Sequence, residues 1–183
     1  MWFTLFIGFG FATVPPALVL TPAEETTLDT GEMVVRGGQA GMVTAVVDLP
    51  ASEAVVLEEV MNLRARVKEV SSIQGLTIYQ RDNNVTGAQW RAGMLGIEQQ
   101  FHVLYTSDFA RGWITFRMDD RKKNELAAAA GSYQAYAVDG QTRLVYRCDA
   151  TPDSGVPDWM REMVAGRAMR QQIEGITLRA QAR

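Results

Sequence analysis

The chain has 183 residues, a formal net charge of −3, one cysteine and one histidine. Those counts exclude an internal disulfide and a zinc site built on a Cys/His cluster, which needs three or four ligands. The basic residues are scattered and Arg121-Lys122-Lys123 is the one run, so no broad surface for nucleic acid is encoded.

The length suits one domain able to build its own core. Residues 2–12 carry no charge and look like the apolar part of a signal peptide, although no Lys or Arg precedes them. Thr21-Pro22-Ala23 sets small residues ahead of Glu24. Residues 1–23 therefore read as an export signal and the product as periplasmic or extracellular; the alternative is an uncleaved membrane anchor. Pro15-Pro16 interrupts the run before the roughly 20 apolar residues that a bilayer span needs. Residues 24–39, polar and containing Gly37-Gly38, read as a mobile linker. The folded domain is expected over residues 40–183.

Residues 42–49 alternate and are rich in valine, as a strand is. Pro50-Ala51-Ser52-Glu53 starts a helix, with Ser52 as cap and Glu53 at the positive end of its dipole. This helix continues, with a break, through residues 62–66. Residues 70–80 read as a second strand and Asp82-Asn83-Asn84 as a turn. Residues 86–94, 99–106 and 112–118 read as further strands. Residues 126–130, a leucine followed by alanines, fit a helical turn by propensity or the next strand by position.

Asp139-Gly140 predicts a two-residue hairpin turn, and a tight turn fixes the register. Tyr133 then faces Tyr146 and Ala135 faces Leu144 on one side. Gln134 faces Val145 and Tyr136 faces Arg143 on the other. The same alternation collects Trp90 with Ala92 and Met94, Phe101 with Val103 and Tyr105, and Ile114 with Phe116 and Met118. His102 falls on the opposite side. Residues 157–180 predict a closing helix roughly 36 Å long at 1.5 Å per residue. Its stripe is Trp159, Met163, Gly166, Arg170, Ile173 and Ile176, widened by Met160, Val164 and Met169.

In this order the chain resembles the START-like, helix-grip superfamily (SRPBCC), which includes START lipid-transfer domains, birch-pollen allergens, polyketide cyclases and coenzyme Q-binding proteins. The resemblance covers residues 42–180. Val47-Asp48-Leu49-Pro50-Ala51-Ser52-Glu53-Ala54-Val55 is similar to the first strand entering the first helix. Gly131-Ser132-Tyr133 and Gly140-Gln141-Thr142-Arg143-Leu144-Val145-Tyr146 are similar to the last two strands, and Leu178-Arg179-Ala180 to the end of the closing helix. Val67-Lys68-Glu69-Val70-Ser71-Ser72-Ile73 lacks the Trp-Pro pair that many relatives carry there. The resemblance implies an α+β fold. A curved antiparallel sheet would wrap around the long C-terminal helix, with short helices after the first strand and an apolar cavity between sheet and helix.

The lining of that implied cavity would be Trp90, Phe101, Tyr105, Phe116, Tyr133, Leu144, Tyr146, Met160 and Met163. Arg170 would greet an anionic head group. Aromatic rings offer apolar area, tyrosines can hold a polar group, and methionine adapts to irregular ligands. The same residues would equally fill a solid core. Acid–base chemistry finds little support: His102 lies on the outer face, and Asp119-Asp120 and Glu58-Glu59 read as solvated ends of elements. The expected function is binding or carriage of a hydrophobic small molecule (lipid, quinone or polyketide-like), with no cofactor or metal and with transient membrane contact. Burial of apolar surface would drive it, at roughly 25 cal/mol per Å². The terminal helix and the loop at residues 119–123 would open to admit the ligand. The alternatives are a cyclase- or aromatase-like enzyme acting on a polyketide and a protein-interaction module with a filled core. Oligomeric state is not encoded legibly.

Overall fold

Asp139 and Gly140 both take positive φ, 48° and 79°, the tight hairpin turn whose twist matches the flanking strands. In the computed structural model, which describes residues 18–37, 42–94, 97–152 and 158–183, this turn joins β7 (Leu126–Val138) to β8 (Gln141–Pro152). Tyr133 pairs with Tyr146 and Ala135 with Leu144, as the turn dictates. The other elements are α1 (Pro22–Asp29), β1 (Val34–Gly37), β2 (Met42–Leu49), α2 (Glu53–Met61), α3 (Leu63–Glu69), β3 (Ile73–Asp82), β4 (Val85–Met94), β5 (Ile97–Asp108), β6 (Trp113–Met118) and α4 (Asp158–Gln181).

The strands form one eight-stranded sheet in the order β1-β2-β8-β7-β6-β5-β4-β3, and every pairing is antiparallel. Side chains alternate across such a sheet. Ala45, Val47, Tyr133, Leu144 and Tyr146 therefore share the inner face, where they join one buried cluster with Val56, Leu57 and Val60 of α2 and Met169, Ile173 and Ile176 of α4. The architecture is the expected α+β helix-grip arrangement. No described helix is long and apolar enough to cross a membrane.

Several expectations need correction. Residues 24–39 are not simply a linker, because α1 and β1 occupy most of that stretch. Thr21 and Glu24 close a reciprocal capping box at the start of α1. Arg36 Nε donates to Glu24 Oε1 at 2.6 Å. Arg143 is almost buried and holds both Glu25 (Nη2 to Oε2, 2.7 Å) and Asp48 (Nη2 to Oδ2, 2.8 Å). Leu28 and Val34 pack with Val46 and Val145 on the outer face, joined by Leu18 and Leu20. The ordered chain thus extends well before residue 40.

Residues 126–130 are strand, because pairing with β8 and β6 overrides the helix propensity of alanine. The second strand starts at Ile73, after Val70 ends α3.

The two acidic pairs are only half solvated. Asp120 and Glu58 are exposed, but Asp119 and Glu59 are buried. Asp119 accepts from Tyr79 Oη at 2.8 Å and from Arg121 Nε at 2.8 Å. Arg121 holds its carboxyl far below the usual range. Those contacts pin the loop at residues 119–123 and oppose its opening as a gate.

Candidate ligand-binding site

α2 ends at Asn62 and the chain restarts at once as α3. Leu63, Arg66 and Val70 follow at helical spacing, and all three are buried. An arginine thereby enters an otherwise apolar stripe facing the inner side of the sheet. Arg66 is 2% exposed. Its Nη2 donates to the Val60 carbonyl at 2.5 Å and its Nη1 to Tyr105 Oη at 3.4 Å, while Nε has no partner. The guanidinium carbon lies 5.4 Å from the Tyr133 ring centroid and 5.7 Å from that of Tyr105, within cation–π range.

No carboxylate among the described residues pairs with Arg66. Glu69, one turn further along α3, is taken by Arg179 of α4. A buried charge without a counter-charge costs several kcal/mol. Burial works against the charged form of Arg66 and the surrounding tyrosines favour it; an arginine stays protonated even in a protein interior.

Around this cation stand most of the aromatic residues expected from the sequence. Tyr105, Phe116, Tyr133 and Tyr146 form a continuous cluster. Phe116 lies 5.9 Å from Tyr105 and 5.7 Å from Tyr133, and Tyr133 lies 4.8 Å from Tyr146. Burial pushes all three tyrosine hydroxyls up, so they remain protonated phenols; the Arg66 charge pulls each of them part of the way back. Trp90 is buried opposite the half-buried Phe101. Its Nε1–H favours the ionised form of Tyr105 slightly but lies outside hydrogen-bond geometry. Leu144 is fully buried in the same cluster. Gln172 of α4 donates from Nε2 to Tyr133 Oη.

Arg170 does not belong to this group. The buried stripe of α4 runs through Met169, Ile173, Ile176 and Ala180, and Arg170 is exposed. Each residue advances about 100° around a helix, so Arg170 sits well round from Met169, and its charge stays in water. The side chains of Met160 and Met163 lie outside the described residues. His102 is on the outer face opposite Gln89, where its ring meets Asn124 Oδ1 at 3.2 Å and the edge of Tyr79. Sequence reasoning missed Arg66 and Gln172. The available signal was the arginine at an apolar position of the Leu63, Arg66, Val70 stripe.

Chemically, a protonated guanidinium flanked by phenols can anchor or polarise an oxygen. Among the described residues, no group of three or more His, Cys, Asp or Glu is placed to hold a metal.

No family model matches the chain, and no curated protein matches it in sequence. Solved structures do match. An aromatase/cyclase from Streptomyces sp. R1128 superposes with a TM-score of 0.63 at 17% identity, covering 78% of this chain and 94% of its own. A START superfamily protein from Mycobacterium smegmatis gives 0.62 at 17% identity, with 77% and 97% covered. A STAR-related lipid transfer protein from Xanthomonas axonopodis gives 0.60 at 13% identity, with 79% and 92% covered. At these identities the likeness concerns the fold alone: the chain shares the helix-grip fold of these structures.

Proposed function

We propose that the protein binds a hydrophobic small molecule, lipid or polyketide-like, between the inner face of the sheet and α4, with the oxygen-bearing end of the ligand at Arg66. The observation that carries this reading is the buried Arg66 guanidinium, which has an unpartnered Nε–H and no described carboxylate beside it. A domain that needed only a solid core would be more stable with an apolar side chain there. The aromatic cluster supplies apolar area for the rest of the ligand. Structural neighbours named as a lipid transfer protein and an aromatase/cyclase support the ligand class. The proposal includes export of the chain, on the uncharged segment at residues 2–12, and loading by transient contact with a membrane.

A second reading, a cyclase- or aromatase-like enzyme, draws on the same group: Arg66 and the Tyr105 hydroxyl together resemble a pair of donors aimed at a developing oxyanion. Native mass spectrometry of protein isolated from its own host tests the first reading. A co-purifying hydrophobic compound that is lost in Arg66→Met supports it, and protein that is empty and ignores apolar fluorescent probes refutes it. Turnover of a linear polyketide mimic would favour the enzyme.

A further inference from the structure

The hydrogen-bond inventory of the interior narrows the class of ligand, given the binding role proposed above. Arg66 Nε–H and Trp90 Nε1–H are both buried, in side chains 2% exposed, and neither has an acceptor. A guanidinium and an indole can only donate, so rotating either side chain cannot turn it into an acceptor. The Tyr105 oxygen already receives Arg66 Nη1, and the Tyr133 oxygen already receives Gln172 Nε2. Each of these two phenols keeps its own hydrogen, while the hydroxyl of Tyr146, the third, interacts with the Cys148 thiol. At the aromatic cluster the unpartnered groups are therefore hydrogens beside one positive charge; Glu69, on the same helix, holds Arg179 through Oε1, and its Oε2 is buried without a partner.

Each kind of polar end on an apolar molecule meets this inventory differently. An alcohol brings an acceptor, but also a hydrogen that would need one. An ester brings acceptors without charge. An amine would add a second positive charge. A carboxylate brings about four acceptor sites, no hydrogen and the missing negative charge, and its two oxygens match the fork of a guanidinium. We infer that the ligand is an apolar carboxylic acid bound as its anion, with the carboxylate at Arg66 and Trp90 and the hydrocarbon against the aromatic cluster.

The test uses the delipidated full-length chain at pH 7.5 with three competitors for a fluorescent polyene probe: palmitic acid, methyl palmitate and hexadecanol. The expected result is that the acid binds at least tenfold tighter than the ester or the alcohol. Arg66→Met should erase that preference, and Trp90→Phe should reduce it several-fold, while circular dichroism stays unchanged. Equal affinity for acid and ester, or tighter binding of the alcohol, overturns the carboxylate assignment and leaves the hydrophobic-binding reading intact. Failure of the wild type to bind any of the three overturns both. The wild-type comparison decides the matter even if Arg66→Met fails to fold.

Discussion

Arg179 Nε donates to Glu59 Oε2 at 2.8 Å, and its Nη2 donates to the Glu59 carbonyl at 2.9 Å. The same guanidinium holds Glu69, so one side chain of α4 ties down the helices on both sides of the break at Asn62. Arg66 lies between those two glutamates in the chain. The clamp therefore fixes the segment that carries the buried cation.

Arg179→Ala should destabilise the fold by roughly 2 kcal/mol or more, because it strips a mostly buried carboxylate of its main partner. Urea unfolding reads this. The pH dependence has a definite sign. Burial opposes ionisation of Glu59, but Arg179 and Asn62 outweigh it and hold the carboxyl below its usual value of 4.5. A lowered folded pKa contributes stability that is complete above about 4.5 and lost as pH falls through the folded value. Wild type should lose stability in acid below that point, and Arg179→Ala should show a flatter acid limb.

Arg66→Met should make the ligand-free protein more stable by about 1–3 kcal/mol, since a methionine of similar length removes an uncompensated buried charge. For a chain of this size that is a rise in Tm of about 2–4 °C per kcal/mol. A fall in Tm would show that the Val60 carbonyl and the tyrosines satisfy the cation better than the geometry suggests.

Leu144→Trp places bulk on the inner face among Tyr133, Tyr146 and Phe116. In a binding site the new ring competes with the ligand, so an apolar fluorescent probe should bind at least tenfold more weakly with little change in Tm. A filled core would instead be overpacked at a cost of roughly 1–3 kcal/mol, with probe binding unaltered.

His102→Ala should cost about 1 kcal/mol, through loss of the Tyr79 ring contact and the Asn124 bond. It should leave probe binding unchanged, because His102 is on the face of the sheet away from Arg66. Chemical denaturation and probe titration on one sample separate the two effects.

If the chain is exported and cut, the cut should fall before Leu18 rather than after Ala23. Removing residues 18–23 would take away the Thr21 cap, Pro22 and the Leu18 and Leu20 contacts, and a helix cap alone contributes about 1 kcal/mol. Intact-mass measurement of protein from the producing cell gives the position, and a mature terminus at Glu24 would contradict it.

What the sequence made legible was local. Asp139-Gly140 set the register that brings Tyr133 against Tyr146. Ser52 accepts from Val55 N at the start of α2, as a cap residue there should. Strand alternation sorted Trp90, Phe101, Tyr105 and Phe116 onto one face. What stayed illegible depended on partners distant in the chain. α1 buries only Leu28, too little apolar periodicity to announce a helix; Arg143 secures it from 118 residues away. Arg66 stood in the continuation of the first helix without a role, because nothing local says that the tyrosines of three later strands close over it. Arg170 was misplaced because it continues the helical spacing from Gly166, whereas the buried face passes through Met169 to the expected Ile173 and Ile176.

Strand β1 carries a consequence for solubility. It pairs with β2 from Val43 to Val46, covering the hydrogen-bonding edge of a valine-rich strand, and an open edge of that kind templates association with another chain. The cover is held by the Leu28 and Val34 contacts and by ion pairs: Arg36 keeps the Glu24 carboxyl down at about 2, far below its usual 4.5. Its contribution is therefore complete above about 4.5 and withdrawn as pH falls toward 2. Acidification toward a pH of about 2 should peel the N-terminal arm from the sheet, and light scattering should then rise while near-UV circular dichroism persists. Discharging the acidic residues of α1 should therefore uncover the β2 edge and favour self-association.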